Sequence, residues 1–256
     1  SPAARLLGPG YTHPEEIAVC LDDGVAYLIR RTGNPLRVDR FHATRASATV
    51  VASGMTAPHQ ISLDEEHGHA YVVEYANPGR LLRIDLTSGT LTVLLSNLQN
   101  AVGLLMTQDK RFAYVSEQTG PGQVSRIELS TGHREVVATG LTSPFFLRWA
   151  DAGEGGILVA ERDPANKVSL INLTQAPISV TPIITGVPAR PSSVGVVTPY
   201  RLLVCSDSVI SDVNLTESVY HYAGPMLLGI GHVPVTSISQ TGNPATCLIS
   251  SILRGQ

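Results

Sequence analysis

The chain copies itself about every 43 residues, and a period of that length made of strand-like segments restricts the fold more than any composition does. Residues 14–19, 58–63, 101–106, 144–149 and 191–196 open the copies. Each is short and apolar, and polar turns such as Asp64-Glu65-Glu66-His67-Gly68 follow. A second segment comes next, at 26–30, 70–74, 113–117, 157–161 and 202–206. It is rich in β-branched and aromatic residues, as strands are. A Gly, Pro or Asn turn leads to a third segment at 81–86, 124–129 and 168–173. Thr87-Ser88-Gly89 and Ser130-Thr131-Gly132 are hairpin turns into a fourth segment. That segment ends in Ala52-Ser53-Gly54-Met55, Leu95-Ser96-Asn97-Leu98 or Ala138-Thr139-Gly140-Leu141.

Four short antiparallel strands per copy predict an all-β fold, a six-bladed β-propeller with four-stranded blades. No segment shows helical periodicity. One domain is expected over residues 1–256, with blades at 14–56, 57–99, 100–142, 143–188 and 189–234. The sixth blade is expected to combine 235–256 with 1–13 and to close the ring, which removes exposed sheet edges. In it, residues 4–14 read as a fourth strand with its exit turn. Residues 235–240 and 246–253 read as first and second strands, leaving the blade one strand short.

The run Tyr71-Val72-Val73-Glu74, followed by Arg83-Ile84-Asp85-Leu86 and Ser88-Gly89, resembles the NHL and YVTN propeller repeats. More widely it is similar to the gluconolactonase-like six-bladed superfamily, over about five copies between residues 14 and 215. The resemblance implies the fold. It also implies a divalent metal, often calcium, held at the mouth of the axis by Glu, Asn and Asp from several blades. The matching positions here are Glu15, His59, Val102, Phe145 and Ser192. Val102 and Phe145 offer no oxygen to a hard cation, and the Pro-Asn-Gly motif common in that superfamily is missing. No metal or cofactor is therefore expected. If calcium binds, Glu15, Glu161 and Asp207 are its ligands. The Trp-Asp pair of WD repeats is absent too.

Glu74, Glu117 and Glu161 close the second segment in three successive copies. Together they would form a cation-binding mouth, but ion pairing within each copy is the reading preferred. Glu74 is expected to pair with Arg83 and Glu117 with Arg126, each nine residues further on. The next copy has Leu170 in place of the arginine and gains Arg148, so Arg148 is expected to pair with Glu161. The ligand-binding candidates are Glu15, His59, Arg148, Glu161 and Asp207. His59 is expected to be a surface or turn-capping residue, since no nucleophile motif accompanies it. Ser192-Ser193 lack the nucleophile-elbow context. Asp207 has no repeat arginine beside it. Tyr75, Phe145 and Phe146 read as an apolar rim or as core. Arg30, Arg31, Arg37 and Arg40 read as a solvated face, or as a dock for an acidic partner.

Eighteen Lys and Arg against 21 Asp and Glu leave a net charge of −3. At that balance nucleic acid is not expected as a partner. No apolar run approaches the ~18 residues of a membrane span. Cys20, Cys205 and Cys247 form no C-x-x-C pair and are expected as buried free thiols, with a Cys20–Cys247 disulfide as the alternative. The sequons at Asn172 and Asn214 fall at equivalent places and read as one turn motif used twice. The chain begins at Ser1, which suits a processed form or a domain of something longer.

These features favour a non-catalytic binding or scaffold propeller, a module of a larger secreted or surface protein. An extracellular or periplasmic location and a monomer are expected. The partner would be a protein or the remainder of the chain. The alternatives are a divergent metal-dependent lactonase or hydrolase and a sugar-binding propeller. Trp149 is the only tryptophan, which speaks against sugar stacking once per blade.

Overall fold

The computed structural model describes residues 14–19, 25–31, 36–42, 48–187, 190–207, 209–215 and 235–241. Every regular element among them is a β-strand. Five four-stranded antiparallel sheets result, each a meander in which sequence neighbours are hydrogen-bonded neighbours. Sheet 1 holds β1 (Pro14–Val19), β2 (Val25–Arg30), β3 (Leu36–His42) and β4 (Ala48–Met55). Sheet 2 holds β5 (Pro58–Asp64), β6 (His69–Glu74), β7 (Gly79–Asp85) and β8 (Leu91–Leu98). Sheet 3 holds β9 (Ala101–Met106), β10 (Phe112–Glu117), β11 (Gly122–Glu128) and β12 (Arg134–Leu141). Sheet 4 holds β13 (Pro144–Trp149), β14 (Gly156–Glu161), β15 (Lys167–Asn172) and β16 (Ser179–Ile184). Sheet 5 holds β17 (Pro191–Thr198), β18 (Arg201–Ser206), β19 (Ile210–Leu215) and β20 (Val235–Thr241). The chain divides into two compact units at the start of β9, with sheets 1 and 2 in the first and sheets 3 to 5 in the second.

Burial explains why the second strands read as unbroken apolar runs. β14 is buried at every position. Its Leu158 and Ala160 join a core with Val194 and Val204 of sheet 5, while Ile157 and Val159 join one with Leu105 and Tyr114 of sheet 3. Alternate residues thus serve opposite faces, and both faces are covered. Burying a side chain such as Leu158 contributes about 1.5–3 kcal/mol. In the first unit Ile29, Val38, Ile61, Val72 and Leu82 share one core between sheets 1 and 2. The expected hairpin turns are present. Gly89 and Gly132 have φ of 73° and 71°, and their N–H groups donate to the carbonyls of Asp85 and Glu128.

Sheet 5 corrects the expected blade boundaries. Residues 235–241 were expected to open a sixth blade, but β20 is the outer strand of sheet 5, with Val213 opposite Ile238 and Asn214 opposite Ser237. The alternation in Val235-Thr236-Ser237-Ile238-Ser239-Gln240 suits an inner or an outer strand equally well. The free edge of β19 needs partners for its N–H and C=O groups, and this segment supplies them. Residues 1–13 and 242–256, assigned to the closing blade, lie outside the described residues.

Cys205 is also corrected. It is fully buried and disulfide-bonded, and its partner lies outside the described residues. With three cysteines in the chain, a bond at Cys205 leaves no pair between Cys20 and Cys247. Of the two sequons, Asn172 is buried and caps its turn, its Oδ1 accepting from the N–H and hydroxyl of Thr174. Asn214 is exposed on β19 opposite Arg201.

The turn after β5 carries a titrating pair. His67 Nδ1 lies 3.0 Å from the carboxylate of buried Asp64, and that hydrogen bond raises the imidazole above its ordinary 6.5. The sign follows from linkage. The contribution is complete below the unfolded value of 6.5 and is lost as pH rises through the higher folded value. We expect an NMR titration of His67 to show a midpoint above 6.5, returning to the ordinary range in Asp64→Asn. A midpoint equal in the two proteins would remove the pair.

Candidate functional site

The three repeated carboxylates end β6, β10 and β14, and all are buried, with Glu117 and Glu161 at 0% exposure and Glu74 at 1%. Glu74 Oε1 accepts from the Thr56 N–H at 2.6 Å and from Arg80 Nη2 at 2.7 Å. Glu117 Oε1 accepts from the Ser125 hydroxyl at 2.8 Å, from Gln123 at 3.1 Å and from Arg134 Nη2 at 2.5 Å. Glu161 Oε2 accepts from the Thr142 N–H at 2.6 Å. Its Oε1 accepts from the Ser169 hydroxyl at 2.5 Å and lies 3.4 Å from Lys167 Nζ. Thr56 and Thr142 sit in the turns that lead into β5 and β13. Glu74 and Glu161 therefore tie an incoming turn to the hairpin between the second and third strands.

Ion pairing is thus the use made of these carboxylates, but with different partners from those expected. The hairpins place the cross-strand partner six residues on, not nine. Glu117 faces Gln123 and Glu161 faces Lys167, while Arg83 and Arg126 fall opposite Tyr71 and Tyr114. In sheet 3 the sixth position is the neutral Gln123, and Arg134 at the head of β12 supplies the cation instead. Arg126 pairs with Glu135 at 2.7 Å and covers the Phe112 ring. Arg148 faces Leu158 across the β13–β14 pair and does not meet Glu161.

In sheets 1 and 5 the same position is occupied by Arg30, facing Pro14 and Arg37, and by Ser206, facing Pro191. Arg37 in turn lies 2.7 Å from buried Asp39. Glu15 lies in β1, and its side chain is outside the described residues. His59, expected at the surface or in a turn cap, is instead 4% exposed in β5, with its ring 5.8 Å from that of Tyr75. It is a packed histidine, with the exposed Tyr75 tilted beside it.

Asp207 is the candidate whose surroundings differ most from expectation. It was expected without an arginine, yet two reach it in the second unit. Arg162 Nη2 lies 2.6 Å from Asp207 Oδ1, and Arg190 Nη1 lies 3.7 Å from Oδ2. Arg190 also pairs with Asp163 at 3.3 Å. Arg162 lies over the Phe145 ring at 4.5 Å, and the Phe145 ring packs tilted against that of Phe146, with centroids 4.8 Å apart. Burial pulls the Arg162 guanidinium below its ordinary value, opposed by the Asp207 charge. Arg162, Arg190 and Asp163 were missed from the sequence. A signal was there: Arg162 follows Glu161 as Asp207 follows Ser206, so both occupy one repeat position in successive copies.

Among the described residues, no three His, Cys, Asp or Glu side chains gather as a metal site. The donor set at this end of the second unit is a guanidinium on an aromatic floor, paired with an exposed carboxylate. It suits recognition of charge and holds no nucleophile–base pair.

No family model and no curated protein matches the chain. Solved structures do. A chain of a nidogen/laminin complex is similar at TM-score 0.68 and 13% identity, over 88% of this chain and 79% of that one. A gluconolactonase from Xanthomonas campestris is similar at TM-score 0.67 and 13% identity, over 81% of this chain and 74% of that one. The WD40 propeller domain of Doa1 is similar at TM-score 0.59 and 15% identity, over 80% of this chain and 66% of that one. At such identities the likeness is one of fold, and the fold is a β-propeller.

Proposed function

We propose that this propeller is a non-catalytic binding and scaffold module, part of a larger secreted or surface protein and monomeric. One observation carries the reading. Glu161, a metal ligand in the hydrolase alternative, has both oxygens occupied, and the repeated Glu74 and Glu117 are paired in the same way. Arginine and phenylalanine at the Arg162 end suit a protein partner, because such residues carry much of the energy of interfaces. The disulfide at Cys205 supports an oxidising compartment, extracellular or periplasmic.

The test is calcium calorimetry on metal-stripped protein with a parallel thermal melt and a screen of lactones and esters. A flat isotherm, an unmoved melting temperature and no turnover are expected. A one-site isotherm lost in Asp207→Ala, with lactone turnover, would overturn this reading in favour of the hydrolase.

A further inference from the structure

We propose that the Arg162–Asp207 pair is a carboxylate-exchange site, at which an acidic side chain of a protein partner takes the place of Asp207 on Arg162. The proposal rests on the binding-module reading and names the chemistry of the partner. Four features support it. First, Arg162 is held in place but underused. Its side chain is 14% exposed and rests on Phe145, and its buried Nε makes no hydrogen bond. A guanidinium offers five donors in a planar fork matched to a carboxylate.

Second, Asp207 is replaceable. It is 46% exposed at the end of β18, where a carboxylate exchanges readily with solvent, and Arg190 is placed to hold it when it leaves Arg162. Glu161, one residue before Arg162, has no such freedom, being fully buried and bonded on both oxygens. Third, the half-buried Phe145 and Phe146 give an apolar floor for the methylene stem of an incoming Glu. Fourth, burial and the neighbouring Arg190 lower the Arg162 pKa despite Asp207, the effect expected of a guanidinium held out of water beside a second cation.

The experiment is fluorescence anisotropy of labelled octaglutamate at low ionic strength, with octaglutamine as the neutral control. Saturable binding of octaglutamate alone is expected. Arg162→Gln should weaken it about tenfold or more, as loss of a charge-assisted bidentate pair does. Asp207→Asn should tighten it about fivefold by removing the competitor, a gain that an unfolded variant does not show. Glu128→Gln, on sheet 3, where the carboxylate accepts from the Thr131 hydroxyl, makes the same change of charge away from Arg162 and should leave binding as in the parent. No binding by either the parent or Asp207→Asn overturns the proposal. Equal tightening by Glu128→Gln overturns it as well, since charge alone would then account for the effect. Failure here with a flat calcium isotherm leaves a binding module for a partner of other chemistry. Calcium binding with lactone turnover removes the binding-module reading, whatever octaglutamate does.

Discussion

Replacing Glu161 by alanine is expected to destabilise the protein by about 3 kcal/mol, the range for breaking a buried pair on one side. The cost has identifiable parts. The fully buried Ser169 hydroxyl loses its acceptor, at about 1–3 kcal/mol for a group left unsatisfied, and the half-buried Thr142 N–H loses its own at a smaller cost. Lys167 is affected less, because its side chain is 26% exposed and can turn to solvent. For a chain of this size the loss corresponds to a melting temperature lower by about 6–12 °C. Glu135→Ala, which breaks a pair exposed by 41% and 54%, should change stability by less than about 0.5 kcal/mol. Thermal and urea melts of the two variants decide the matter. Equal effects would mean that the buried carboxylate is no tether.

The same asymmetry predicts that Lys167→Ala is milder than Glu161→Ala. The carboxylate then keeps two donors and still spans turn and hairpin. Removing the exposed partner costs a weak attraction, whereas removing the buried one strands its neighbours.

The repeat made the strands legible because it is written in burial. A second strand covered on both faces must be apolar throughout, and Ile157-Leu158-Val159-Ala160 says so without any structure. Strand position within a sheet was less legible. The alternation of residues 235–240 suits an inner or an outer strand, and pairing with β19 alone decides it. The candidate site was legible in residue type more than in partner. Glu74, Glu117 and Glu161 were rightly read as paired, but counting nine residues along the chain overlooked the length of the hairpin, which sets the register at six. Arg162 is harder to read because its repeat position changes residue type from copy to copy, Tyr75, Gln118, Arg162 and Asp207 in turn. Its meaning depends on Asp207, 45 residues away.

Replacing Gly103 by valine is expected to cost about 3 kcal/mol, as overpacking does where backbone must move. A Cβ there would lie 2.6 Å from the Phe145 carbonyl oxygen and 2.6 Å from Ser116 Oγ. Neither can yield easily. The Gly103 N–H donates to Ser116 Oγ at 2.7 Å, and that hydroxyl donates to the Phe145 carbonyl at 2.6 Å. The close approach of β9 to β13 is thus fixed by a hydroxyl between two backbones, and only glycine leaves room for it. The sole tryptophan reports on the same spacing, since Trp149 Nε1 on β13 donates to the Met106 carbonyl on β9 at 3.0 Å. Gly103→Val should therefore lower the melting temperature and shift Trp149 emission together. Phe145 also carries Arg162, so octaglutamate binding should weaken in Gly103→Ala, whose Cβ by itself meets the Phe145 carbonyl. A destabilised variant with unchanged emission would place the strain elsewhere than between β9 and β13. A variant as stable as the parent would mean that the two strands separate at little cost, and that Phe145 is not held where Arg162 needs it.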